Sequence, residues 1–126
     1  MDTKEFVNRV RELSGLDDRG EAKSASMAAL AALSDALPQQ EAHDLGSQLP
    51  KDFKDLIWSR REDPRPAKPL DWQVLLGNVR ETLAPGNRDK ASPVTRAIFT
   101  TLREAVTPGE MGEIAGVLPP ELQGAG

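Results

Sequence analysis

Apolar residues along the chain recur at intervals of three and four, and nowhere do they alternate with period two. Phe6, Val7, Val10 and Leu13 form the first such stripe, Ala22, Ala29, Leu30, Leu33 and Leu37 the second, and Ala42, Leu45 and Leu49 a third. Side chains three and four apart share one face of an α-helix, so each stripe predicts a helix with one side turned to a core. Further along, Leu75, Leu76, Val79 and Leu83, then Ala91, Ile98, Phe99, Leu102 and Val106, repeat the scheme.

Polar residues, glycines and prolines between the stripes set the boundaries. Asp2 is placed to cap the first helix, with Glu5 closing a capping box and Met1 stapling onto Phe6; Asp71 and Leu70 repeat the device before Leu75. Gly15 and Ala84-Pro85-Gly86 stop these two helices. The second helix begins near Asp17 or Asp18 and stops at Pro38; in its later counterpart Pro93 falls near the start and predicts a delayed or kinked beginning. Thr107-Pro108-Gly109-Glu110 predicts a helix starting at Pro108, with Thr107 as cap and Glu110 closing the box. Pro50 and Pro119 each follow a leucine and open one more helix, the second of which has too little chain left to be more than a stub. The expected fold class is all-α: seven helices and a C-terminal stub.

The recurrence of Leu49-Pro50 as Leu118-Pro119 is part of a longer pattern. Sliding the chain by 69 residues aligns residues 1–57 with residues 70–126 without a gap, and twelve of the 57 positions are identical. Chance gives about one match in sixteen positions for ordinary composition. Many of the other pairs keep their character, among them Leu30/Phe99 and Leu45/Ile114 as apolar and Asp35/Glu104 and Asp44/Glu113 as acidic. The expected organisation is one domain of two duplicated four-helix repeats (1–57 and 70–126), joined by a linker (58–69) and packed with pseudo-two-fold symmetry. Arg11, Glu12, Arg19 and Glu41 recur as Arg80, Glu81, Arg88 and Glu110. Polar positions retained twice suggest a structural need of both halves, such as an ion pair between neighbouring helices or a helix-end contact, with paired binding positions as the alternative.

Composition narrows the chemistry. There is no cysteine and a single histidine, which removes thiolate metal sites, disulfides and a cysteine nucleophile. His43, between Glu41 and Asp44, reads as a surface histidine, and no metal or catalytic residue is assigned. No G-x-S-x-G, phosphate-cradling glycine loop or histidine beside a nucleophile occurs, so no cofactor is expected and an enzyme is the less favoured class. Net charge is −4, which gives no global attraction to nucleic acid. The first residues lack the basic flank and apolar run of a signal peptide and no stretch is long enough to span a membrane, so a soluble cytoplasmic protein is expected.

The linker, from Trp58 to Pro69, is the one net basic stretch, with three prolines and four cations. Arg60, Arg61, Arg65 and Lys68, beside Trp58 and Trp72, make the candidate contact for an anion or a partner, because guanidinium forks match phosphates and carboxylates and indoles offer stacking faces. The competing reading is a solvated connector with its tryptophans packed over the junction of the halves. On either reading, serine at Arg60, Arg61 and Arg65 should leave stability unchanged.

Taken together, the helix around Phe6 and Val10, the run Gly15-Leu16-Asp17-Asp18-Arg19-Gly20-Glu21-Ala22, then Glu41-Ala42, Asp44-Leu45 and Gln48-Leu49-Pro50, resemble the prokaryotic family catalogued as domain of unknown function 2267. The resemblance spans nearly the whole chain and implies a small, helical, internally duplicated protein, with no established activity to carry over. The expected function is therefore a non-enzymatic protein-interaction or scaffold module, with a protein partner or self-association. The alternatives are a small-molecule or enzymatic pocket at the interface of the repeats, or weak anion binding by the linker.

Overall fold

The computed structural model describes residues 1–62 and 65–123, so Asp63, Pro64 and the last three residues lie outside the description. Among the described residues the chain forms seven α-helices and no strand: α1 (Thr3–Ser14), α2 (Arg19–Asp35), α3 (Gln39–Ser47), α4 (Lys51–Arg60), α5 (Trp72–Thr82), α6 (Ala91–Ala105) and α7 (Pro108–Ile114). None of them is long and apolar enough to cross a membrane.

Local chemistry accounts for the boundaries. Side-chain oxygens of Asp2 and Asp18 each accept from the backbone N–H three residues on, at 2.8 Å, and the Asp71 carboxylate accepts from Val74 at 3.1 Å. Gly15 closes α1 in the left-handed conformation at φ 80°, and its N–H donates to the Arg11 carbonyl. Pro38 and Pro50 stand immediately before α3 and α4 in an extended conformation, where the missing N–H costs nothing and the carbonyls receive the first helical N–H groups. The stub expected after Leu118-Pro119 is a single 3-10 turn, Pro120–Leu122, with Leu122 buried.

Some expectations are corrected. Leu13 is 40% exposed, and Leu16, beyond the end of α1, takes the inward place instead. Met1 is 49% exposed and does not clamp Phe6. A 3-10 stretch at Pro85–Lys90 precedes α6, which begins at Ala91 with Pro93 in its first turn, so the delay attributed to that proline is present. At α7 the box is only half made. The Thr107 hydroxyl accepts from the Glu110 N–H at 3.2 Å, but the Thr107 N–H donates to Gln48 Oε1 at 2.9 Å, which leaves the Glu110 side chain to turn inward. Finally, α4 runs through Trp58 to Arg60, three residues into the stretch read as linker.

The helices share one core. α1 packs chiefly against α6 and α2 against α5; α2 also meets α6, and α3 meets α4 and α7. Phe6, Leu33, Leu45 and Phe53 belong to the same apolar cluster as Leu75, Phe99, Leu102 and Ile114. The rings of Phe6 and Phe53 lie 4.8 Å apart and tie α1 to α4. Polar contacts also cross between the early and late helices. The Glu21 carboxylate of α2 accepts from the Ala84 N–H at 2.7 Å and from Asn87 Nδ2 at 3.0 Å, and Arg9 of α1 donates twice to Glu104 of α6, at 2.9 and 3.0 Å. That pairing raises the pKa of Arg9 and holds Glu104 below the usual carboxylate range.

Candidate functional site: the cleft between α3 and α4

The short Gln48-Leu49-Pro50 connection returns the chain so that α4 lies beside α3. Gly46 on α3 sets how closely they approach. A Cβ at this position would stand 2.6 Å from Trp58 Nε1 and 2.8 Å from Cδ1, so only glycine lets the indole lie against the helix. There Trp58 Nε1–H donates to the His43 carbonyl at 3.1 Å, and the His43 imidazole stacks on the indole with centroids 4.5 Å apart and planes 2° from parallel. The Lys54 ammonium lies 5.3 Å from the Trp58 ring centre.

This stack forms one wall of a cleft of about 620 Å³, completed by Gln39, Gln40, Asp55, Ser59, Arg61 and Glu62. Most of its polar groups are already engaged. Gln39 Nε2 donates to the carbonyls of Arg61 and Glu62, both at 2.9 Å, and so caps the end of α4. Gln40 Nε2 donates to Asp44, and Asp55 is paired with Lys51 at 2.7 Å. Among the described residues, the open hydrogen-bonding capacity of the cleft is the amide oxygens of the two glutamines, the Ser59 hydroxyl, the His43 imidazole and the Glu62 carboxylate, beside a flat aromatic surface.

The linker cations are distributed differently from one another. Arg60 donates in a fork to Asp35 at the end of α2. Arg61 is buried: its Nη2 donates to the Leu37 carbonyl at 3.0 Å and to the Arg65 carbonyl at 3.2 Å, while its Nε is buried with no partner among the described residues. Arg65 donates to the Arg60 carbonyl, and the Lys68 backbone N–H donates to the Asp35 carbonyl at 2.8 Å. The connector is thus pinned to the C-terminal end of α2, whose last carbonyls need donors. Trp72 is set apart from Trp58: it is buried on α5, with the Arg96 guanidinium 5.0 Å from its ring centre. Of the six candidate residues, Trp58 and Arg61 line the cleft, and the other four do not.

The duplicated polar positions also differ from the expected ion pairs. Arg11 donates to Asn8 at 3.2 Å, and Glu12 pairs with Arg9. Glu110 is 5% exposed and its carboxyl is pushed up to about 7, first by burial, then by the neighbouring Glu113 carboxyl and by the charges of Asp44 and Glu41.

Gln39, Gln40, Asp55 and Ser59 match no motif and were not anticipated from the sequence. The one signal pointing at the cleft is Gly46 itself, a glycine inside an otherwise regular helix, which is costly unless packing requires it.

These features define a small all-α bundle with a polar, aromatic-walled cleft between two of its helices. The chain belongs to the family described as Uncharacterized conserved protein (DUF2267), whose model matches residues 3–124. No curated protein matches the sequence.

Proposed function

We propose that the protein is a non-enzymatic interaction module, built from two copies of a four-helix unit related by a pseudo-two-fold axis, that takes a protein partner in the α3–α4 cleft. The duplicated architecture is supported by how the helices pair. At the spacing of 69, α1 corresponds to α5 and α2 to α6, and the two leading contacts, α1 with α6 and α2 with α5, are each other's counterparts. The contacts α2 with α6 and α3 with α7 join each element to its own counterpart, as elements nearest a two-fold axis do.

The binding role rests on one observation: Trp58 is held rigidly against His43, with Gly46 making room for it, at the edge of a cleft that retains free amide oxygens. A fixed indole loses little entropy when it is covered, which is why tryptophan anchors partner surfaces. Asp55 and Arg61 are held by Lys51 and by backbone carbonyls, and the His43 imidazole is stacked face to face on Trp58 with no nucleophile beside it, which favours recognition over chemistry. The cleft is also in the size range of small-molecule sites, so a bound metabolite is the second reading.

The test uses the full chain and Ser59→Arg, a substitution at an exposed cleft position. Both should melt alike, and a partner captured from the source cells by the wild type should be lost with the variant. Equal capture by both, or a small molecule copurifying with wild type and no protein partner, contradicts the interaction reading.

A further inference from the structure

Where α3 meets α7, one buried carboxylate, Glu110, lies close to the half-buried Glu41 and Asp44 and the exposed Glu113, and among the described residues no cation offsets its charge. Glu110, in the first turn of α7, is 5% exposed, and its Oε1 has no hydrogen-bond partner among the described residues. Glu113 faces it from the same helix, and Glu41 and Asp44 face it from α3. The nearby α6 cation Arg103 is engaged by the Leu122 carbonyl. Glu41 and Glu110 are matching positions at the spacing of 69, as are Asp44 and Glu113, so like charges of the two halves are brought together where α3 and α7 meet.

An ionised carboxylate in that position loses its hydration and meets three like charges. A protonated one is an O–H donor, and the Glu113 carboxylate is within reach as acceptor. One proton therefore changes the contact from repulsive to bonded. The rest of the hold on this seven-residue helix comes from Ile114, fully buried in the core at its C-terminal end, and from Gln48, which accepts its capping N–H from the first half, so the carboxylates act on its N-terminal turn.

We propose that the α3–α7 contact is a proton-operated latch, closed while Glu110 carries a proton and loosened when Glu110 ionises, so that the protection of α7 falls as the pH rises. Near-neutral conditions then place the latch at its midpoint, where small changes in pH alter the exposure of α7. This holds whether or not the α3–α4 cleft takes a partner.

Two measurements on the full-length chain decide it. Carboxyl-carbon NMR should show Glu110 titrating near pH 7, with a lower midpoint in Glu113→Gln, which removes a repelling charge and leaves only a neutral amide oxygen as acceptor. Amide exchange, corrected for its intrinsic pH dependence, should show the protection of α7 falling about a hundredfold between pH 5 and pH 8 in wild type and staying level in Glu110→Gln. Titration of Glu110 in the ordinary carboxylate range near pH 4.3, or the same pH-dependent loss of protection in Glu110→Gln, overturns the proposal.

Discussion

Arg61 and Arg65 lie four residues apart in one basic run, yet the fold treats them oppositely. Arg61 is buried with two backbone carbonyls on its guanidinium, whereas Arg65 is exposed. Arg61→Ala strands the Leu37 carbonyl and leaves a void, so chemical denaturation should show a loss of about 1–3 kcal/mol. Arg65→Ser should stay within about 0.5 kcal/mol of wild type. This reverses the expectation that serine at Arg60, Arg61 and Arg65 together leaves stability unchanged. Gly46 makes a second prediction at this scale. In Gly46→Ala the new methyl group displaces the Trp58 indole, at a cost of about 1–3 kcal/mol, with a changed Trp58 emission spectrum. Combining it with Trp58→Ala should cost less than the sum of the two, because the clash and the indole are removed together.

Helices and their ends were largely legible in the sequence, because the chemistry that sets them is local. Asp2, Asp18, Asp71 and Thr107 cap where short-range rules put them, and the prolines fall at helix starts. What could not be read depends on partners far along the chain. Glu110 was expected to close a box on Thr107, but Gln48, 59 residues away, accepts that N–H and frees the carboxylate to turn inward. The linker cations read as either an anion-binding strip or a solvated connector because Asp35 and Leu37, whose oxygens Arg60 and Arg61 meet, lie more than 20 residues earlier in the chain. The cleft was invisible for the same reason: its glutamines, serine and aspartate carry no motif and acquire meaning only when α3 and α4 lie side by side. Long-range capping also yields a prediction. Glu21→Ala removes the acceptor that holds the Ala84 N–H and Asn87, so it should cost about 1 kcal/mol and increase amide exchange selectively at Pro85–Lys90. Unchanged exchange there would mean that the turn is held by its own 3-10 bonds alone.

Across the whole molecule, carboxyl groups act on stability with opposite signs. Asp52, held low by its hydrogen bond to Lys23, and Glu104, held low by Arg9, contribute stability that is present above their unfolded values and lost as the pH falls through their folded ones. Glu110 does the reverse. Its contribution is complete below the unfolded value of 4.5 and disappears as the pH rises to about 7. Stability should therefore peak near pH 5 and fall by about 1–3 kcal/mol by pH 8. Glu110→Gln should flatten that decline and leave the acid limb in place, as denaturant titrations at a series of pH values would show.

The central claim at this scale is that the two halves interlock, since α1 finds its main partner in α6 and α2 in α5. Neither half then holds a complete core, because each first helix is covered by the second helix of the other half. The direct measurement is to express residues 1–62 and 70–126 separately and record circular dichroism and amide NMR spectra of each alone and of their mixture. Interlocked halves should give fragments that each lack dispersed amide signals alone, and mixing should restore a helical species with the spectrum of the intact chain. Two fragments that each fold alone and ignore one another would contradict it.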